Sequence, residues 1–354
     1  MRKTVLALTI VTLLNAGTAA AATDAVAEAS ASVSASADAG GERNSPEQAH
    51  KLDEVEVTAL PIKQSADDVI APVSVLAGAA LDDAKAGTLG ETVAKQPGVQ
   101  TTYFGPGVGR PVIRGLDGPR VGVLSNGASS GDVSTVSQDH AVSIEPFLAD
   151  QIEVLKGPAT LLYGSGAIGG VVNVVDGRIP EQRPDRPLSG RAELRGNDAS
   201  DERTGMARID LSAGDFVLHA DGTRRDTDDY DGPDGKIANS FLTTKSGSFG
   251  GSWIGDRGFI GLAVSRFLDH YGNPAEPGDP AEGEAGVTLK LAQTRYDIKG
   301  AVNLDAGALE SVRVNASHTD YTHTEFEGDE IGTVFLSESN EGRIELVQGD
   351  LAGW

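Results

Sequence analysis

Gln151-Ile152-Glu153-Val154-Leu155-Lys156-Gly157-Pro158, followed by Gly164-Ser165-Gly166 and Gly169-Gly170-Val171-Val172-Asn173-Val174-Val175, sets two β-branched runs on either side of a glycine-rich connection. The first run reads as a strand stopped by Gly157-Pro158, and the second, from Val171 to Val175, as a strand buried on both faces. Between them Ala159 to Tyr163 suggests a short helical turn. The glycines do not form a phosphate cradle, because the P-loop lysine with its Ser/Thr is missing and no G-x-G-x-x-G leads from strand to helix. Upstream, Pro111-Val112-Ile113-Arg114-Gly115 runs into the turn signal Asp117-Gly118, and Arg120-Val121-Gly122-Val123-Leu124 returns as a strand ending at Asn126-Gly127. Short strands and tight turns predict a compact α+β domain over 65–178.

Beyond Pro184 the pattern changes to long alternating segments. Ala192, Leu194 and Gly196 oppose Arg191, Glu193 and Arg195; Ala207, Ile209 and Leu211 oppose Arg208 and Asp210; Tyr296, Ile298, Gly300, Val302 and Leu304 oppose Arg295, Asp297, Lys299 and Asn303. Period two with one apolar and one charged face suits a strand between lipid and a wet lumen, and equally a soluble antiparallel sandwich. Toward the amino terminus, Arg2 and Lys3 precede the apolar run Val5 to Leu14 and an alanine ladder, the layout of a secretory signal over 1–22. Residues 23–51 carry too little apolar surface to offset chain ordering and read as a flexible linker. The following Leu52-Asp53-Glu54-Val55-Glu56-Val57-Thr58-Ala59 alternates acids with β-branched residues, as a strand does that can add to another protein's sheet.

Composition narrows the function. The net charge of -23 over 354 residues argues against a nucleic-acid partner. With no cysteine, disulfides, thiolate metal sites and thiol catalysis are impossible. No interior stretch reaches the ~20 apolar residues of a spanning helix, a test that leaves a membrane β-barrel open. No nucleophile elbow or triad spacing surrounds Ser125 or Ser165, so an enzyme is not expected.

Together, DEVEVTA, PVIRGLDGPRVGVLSNG and IEVLKGPATLLYGSGAIGGVVNVVD resemble the TonB box and plug of TonB-dependent outer-membrane receptors, with the resemblance strongest over residues 52–178. It implies an α+β plug domain followed by an antiparallel transmembrane β-barrel in the bacterial outer membrane. The box, 52–59, would reach the periplasmic TonB protein through Asp53, Glu54, Val55, Glu56, Val57, Thr58 and Ala59. The barrel portion, 188–354, falls short of the ~220 residues that 22 strands of roughly ten residues require, so a barrel incomplete in this chain is expected. No small signalling domain fits between Ala22 and Leu52, which points to transport without transcriptional signalling.

The cargo reading rests on few residues. From Ser311 to Glu327 the odd positions form the polar face, so His323 and Glu325 point the same way, and Asp139-His140 places two ligand types side by side in the first domain. Such oxygen and imidazole donors suit zinc, nickel or manganese. Ser137-Gln138-Asp139-His140-Ala141 and His323-Thr324-Glu325-Phe326-Glu327-Gly328-Asp329-Glu330 are similar to segments of the zinc-receptor branch of the family. That similarity implies Asp139, His140 and Glu325 as zinc ligands, with Glu327 able to replace Glu325, His323 as a secondary contact, and a further ligand beyond residue 354. The acids of Asp226 to Asp234 lack the spacing of a calcium loop. The expected function is TonB-dependent import of a metal ion, zinc favoured. The alternatives are a siderophore-iron or other metal-chelate receptor, and a non-transporting surface adhesin or inactive remnant.

Overall fold

The computed structural model describes residues 7–10, 56–59, 64–65, 72–157, 160, 163–164, 166–233, 235–275, 286–306 and 309–348. Of the expected signal segment and linker, only β1 (Ala7–Ile10) falls within these residues. A two-residue ladder between β2 (Glu56–Val57) and β3 (Gln64–Ser65) follows.

The first domain contains β4 (Val73–Ala77), α1 (Gly78–Ala84), α2 (Leu89–Val93), β5 (Val99–Thr101), β6 (Pro111–Ile113), β7 (Val121–Ser125), β8 (Ala128–Ser129), β9 (Gln151–Leu155) and β10 (Gly170–Val175). Its sheet runs β4-β9-β10-β7-β8, with β10 parallel to β7 and every other pair antiparallel. The run Val171 to Val174 is buried on both faces. Val172 and Val174 meet the core of Leu81, Leu89, Val93 and Ile152, while Val171 packs with Leu155 and Ala167 beneath Val57 and Ala59. The Asp117-Gly118 signal marks a capped 3-10 turn instead of a hairpin. Asp117 accepts from the Gly118 amide, and β6 pairs with β5, not with β7. The hairpin forms at Asn126-Gly127, whose φ values of 52° and 83° fit a type I′ turn between β7 and β8. Of the expected turn at Ala159 to Tyr163, all but Thr160 and Tyr163 lies outside the described residues.

Eight long strands follow: β11 (Leu188–Asn197), β12 (Glu202–Ala213), β13 (Phe216–Thr227), β16 (Leu242–Gly255), β17 (Gly258–Asn273), β18 (Val287–Ala306), β19 (Leu309–Glu327) and β20 (Glu330–Gln348). The connection before β16 contains the small ladder of β14 (Asp231–Gly232) and β15 (Gly235–Lys236). With β1 on the edge of β11, these strands make one antiparallel nine-stranded sheet in sequential order. Its burial inverts that of a soluble sandwich. Leu194, Ile209, Phe216, Leu218, Leu262 and Ile298 stand exposed, whereas Glu193, Arg225, Asp269, Arg295 and Asp297 are buried on the opposite face. A sheet whose outer face meets lipid requires this arrangement. Phe216 and Trp253, 60% and 45% exposed, are cross-strand partners at the short-turn end, where an aromatic girdle belongs. The connections at that end, β12–β13, β16–β17 and β18–β19, are each two residues, whereas the opposite end carries the long β13–β16 and β17–β18 connections beside the short β19–β20 turn, the pattern of short periplasmic turns and longer outer loops.

The charged inner face finds its partners on the first domain. Arg225 donates to Glu145 at 2.9 Å and to the Gly87 carbonyl at 2.6 Å, and it lies 4.7 Å over the Phe147 ring, which Arg195 also covers at 4.6 Å. Arg208 grips both oxygens of Asp150, and Asn315 donates to the Asn126 carbonyl. Where the chain leaves the domain, Arg178 reaches Ser265 at 2.8 Å and Asp297 at 3.4 Å. The wall opposite is Gly250, where a Cβ would lie 2.0 Å from the Arg178 carbonyl oxygen, so only glycine lets the two backbones approach.

Burial opposes ionisation of Asp176, yet the Arg178 guanidinium and the Asn126 amide override it and hold the carboxyl at about 2. A depressed carboxyl contributes stability above its unfolded value near 3.9, on the order of 2 kcal/mol here, and loses it as pH falls through about 2. We therefore expect the hydrogen-exchange protection factors of residues 121–129 and 170–178, taken relative to the intrinsic rate at each pH, to fall between pH 4 and pH 2, and Asp176→Asn to flatten that pH-dependent component. An identical pH profile in the variant would refute the assignment.

Candidate metal centre and amino-terminal latch

His140 lies on the long connection between β8 and β9, and His323 and Glu325 lie on β19, so the residues come from the two packed bodies. Odd parity along β19 turns both side chains inward. The β19–β20 register shifts between Thr324 and Phe326, a bulge beside Glu325 of the kind that re-aims a side chain. One ligand atom each from His140, His323 and Glu325 lies within 4.8 Å of the others. His140 Nε2 is 2.8 Å from Glu325 Oε1, and the two imidazole centroids are 4.3 Å apart.

The imidazoles are oriented from behind. The Val133 carbonyl can only accept, so His140 Nδ1 donates to it at 3.1 Å and leaves Nε2 as the inward-facing nitrogen. His323 Nδ1 lies 3.0 Å from the Tyr321 hydroxyl, and His323 Nε2, though buried, has no hydrogen-bond partner among the described residues. Phe335 closes the site edge-on to both rings at 5.0 and 5.8 Å. Nitrogen and oxygen donors converging around two buried imidazoles, one nitrogen without a hydrogen-bond partner among the described residues, match what a dication coordinates and a hydrogen-bond network does not need. Asp139 stands further out. Its Oδ1 is 4.0 Å from His140 Nε2, and its carbonyl accepts from Tyr271 and Asn273, each at 3.3 Å.

Of Asp139, His140, His323 and Glu325, which sequence reasoning singled out, the structure brings the last three together and leaves Asp139 outside the cluster. That reasoning missed Tyr321, Tyr271 and Phe335 as supports. The signal for Tyr321 was present, since it shares the odd-numbered face with His323.

The segment 52–59 is described only from Glu56 onward, so Asp53, Glu54 and Val55 lie outside the described residues. Val57 and Ala59 are buried against the first domain. The Thr58 and Ala59 amides are both held by Glu153, at 0% exposure in the middle of β9. Its Oε1 accepts from the Thr58 amide, the Thr58 hydroxyl and Gln151 at 2.7, 2.8 and 2.7 Å, and its Oε2 from the Ala59 amide at 2.8 Å and Asn173 at 3.2 Å. Tyr163 adds a hydrogen bond to the Ala59 carbonyl at 2.5 Å. An acid between Ile152 and Val154 in an otherwise apolar strand was the available sign of this latch.

The family profile described as TonB-dependent Receptor Plug Domain matches residues 65–171. Among curated proteins, the chain is 29% identical over 227 residues to the vitamin B12 transporter BtuB of Photobacterium profundum, covering 62% of this chain and 37% of that protein. It is 27% identical over 268 residues to the hemin receptor of Yersinia pestis, covering 71% and 38%. Solved structures with the same fold include the copper transporter OprC, with a TM-score of 0.60 at 18% identity over 73% of this chain and 38% of that one. A ferric enterobactin receptor of Pseudomonas aeruginosa gives 0.58 at 16% over 77% and 45%. The chain thus spans about two fifths of the length of the curated relatives it matches. No described helix is long and apolar enough to cross a membrane, which says nothing against crossing by strands. The inverted sheet, the domain packed against its charged face and these similarities lead to one conclusion: the chain carries a TonB-dependent receptor plug domain over residues 65–171, followed by antiparallel strands arranged as in the barrels of outer-membrane receptors.

Proposed function

We propose that this receptor imports a metal ion, zinc in first place, through the outer membrane at the expense of TonB-delivered energy. The observation that carries the reading is the His140, His323 and Glu325 cluster, with its orphaned Nε2, shared between plug and wall. Two imidazoles and a carboxylate, with no thiol in the chain, suit zinc and its first-row neighbours. On this reading Asp139, whose Oδ1 lies 4.0 Å from His140 Nε2, is the candidate for a fourth protein donor. Binding displaces protons from the donors, so affinity falls as the medium is acidified.

The test is zinc titration of the full chain by calorimetry. His140→Ala, His323→Ala and Glu325→Gln should each weaken binding by about 100-fold, and Tyr321→Phe, which removes only the support behind His323, by roughly 10-fold. Asp139→Ala should cost less than either histidine. Unchanged zinc affinity in both histidine variants would end the assignment.

A second reading keeps the mechanism and changes the cargo to a metal chelate, favoured by relatives that carry vitamin B12, hemin or ferric enterobactin in their names. Growth rescue by zinc salts, set against rescue by iron chelates, separates the two.

On this proposal Glu153 keeps the amino-terminal box docked at rest, and TonB, in the periplasm, receives it once it is released. Glu153→Ala strands the Thr58 and Ala59 amides, at about 1–3 kcal/mol for each unsatisfied donor. The variant should bind the periplasmic domain of TonB more tightly in the absence of cargo, and proteases should cut the segment around Thr58 sooner. Wild-type values in both assays would show that Glu153 does not restrain the box.

A further inference from the structure

Arg110 is buried in the plug at 1% exposure, and neither the metal centre nor the latch accounts for it. A guanidinium taken out of water needs partners. It has three: the Asp117 carboxylate at 3.4 Å, the Gly118 carbonyl at 3.0 Å and the Ser134 hydroxyl at 2.6 Å. Ser134, itself 2% exposed, gives its own hydroxyl hydrogen to Asp132. The cation thus reaches a second carboxylate through one hydroxyl.

Asp132 gathers both roots of the loop that carries His140. Its Oδ1 accepts from the Ser134 amide and its Oδ2 from the Ser143 amide, each at 3.0 Å, while Thr135 to Gln138 stay exposed at the tip. The loop is closed on itself by one side chain. The Ser134 amide belongs to the same peptide group as the Val133 carbonyl, which accepts from His140 Nδ1 at 3.1 Å and from the Val136 amide at 2.9 Å. A trans peptide is planar, and its N–H and C=O point opposite ways. Holding the hydrogen on Asp132 therefore aims the oxygen away from Asp132 and at the imidazole.

We propose that Asp132 is a positioning residue of the metal centre, acting on His140 through the peptide group between Val133 and Ser134. An imidazole that binds a metal is held at its other nitrogen by a carboxylate or a carbonyl, which fixes the ring and raises its basicity. Here a carbonyl holds the ring, and a carboxylate stands one peptide group behind it. The negative charge polarises that amide, so the Val133 oxygen becomes a stronger acceptor and His140 Nε2 a stronger donor to the ion. Arg110, through Ser134, keeps Asp132 turned toward the loop. This role rests on the proposed zinc cargo and adds to it the group that sets the direction of one donor.

The experiment measures zinc affinity of the full chain and, with cobalt(II) as a coloured substitute, the visible absorption bands at saturation. Asp132→Ala removes both anchors and should weaken zinc binding by roughly 10-fold. Asp132→Asn keeps an oxygen for the Ser134 amide but loses the charge and the bond from Ser143, so its affinity should fall between wild type and the alanine variant. In both variants the cobalt bands should move from their wild-type positions, which a general loss of plug stability would not cause. Hydrogen-exchange protection of β7, β9 and β10 should stay at the wild-type level. If the alanine variant loses that protection, the asparagine variant carries the test. Wild-type zinc affinity in the folded variants, or weakened affinity with unmoved cobalt bands, overturns the proposal. Where His140→Ala weakens zinc binding and the Asp132 variants do not, the positioning role alone falls. A wild-type chain that binds no zinc removes the cargo assignment first and the positioning role with it.

Discussion

Everything in this molecule depends on the contact between a charged sheet face and a small domain that neutralises it. The side chains of Arg195, Arg208, Arg225 and Arg295 point away from the exposed apolar surface, and Arg225 and Arg295 are buried. Each would be costly without a partner. Their partners are carboxylates and carbonyls of the plug: Asp150, Glu145, and the backbone at Asp82, Gly87 and Ser129. The plug is thus held by hydrogen bonds and ion pairs, with little apolar burial between the two bodies outside the cluster around Tyr271 and Leu289. Water can replace polar contacts of this kind one at a time, whereas a hydrophobic seam must be opened all at once. On the proposed transport reading, a part to be moved without unfolding calls for the first kind.

The inversion also explains what the amino-acid sequence discloses and what it withholds. Period two in segments such as Tyr296 to Leu304 is enough to locate strands, and parity alone puts Tyr321, His323 and Glu325 on one face. Parity does not say which face is inside. Apolar-in and apolar-out sheets have the same alternation, and only the neighbouring plug motifs choose between them. Hairpin chemistry was legible where the turn residues set backbone angles, at Asn126-Gly127, and misleading at Asp117-Gly118, where the same kind of signal caps a 3-10 turn and the strands pair elsewhere.

Long-range pairing is the part that spacing cannot reveal. His140 and Glu325 are 185 positions apart and meet because a plug loop and a barrel strand are packed together. Glu153 poses the same difficulty on a smaller scale. An acid inside an apolar strand announces that a polar partner must exist, and only the fold shows that the partner is the backbone of Thr58 and Ala59, 95 and 94 positions away.

The placement of the His140, His323 and Glu325 cluster has a mechanical corollary for the proposed zinc cargo. Coordination bonds to zinc are ~2.0–2.2 Å long and tolerate little stretching. His140 rides on one body, while His323 and Glu325 are fixed in the other. A shift of the plug by an ångström or two would strip the ion of one imidazole while leaving the remaining donors in place. Grip would fail at the stroke that clears the passage, so retention and discharge would need no separate gate; the same displacement would serve as both the lock's key and its bolt.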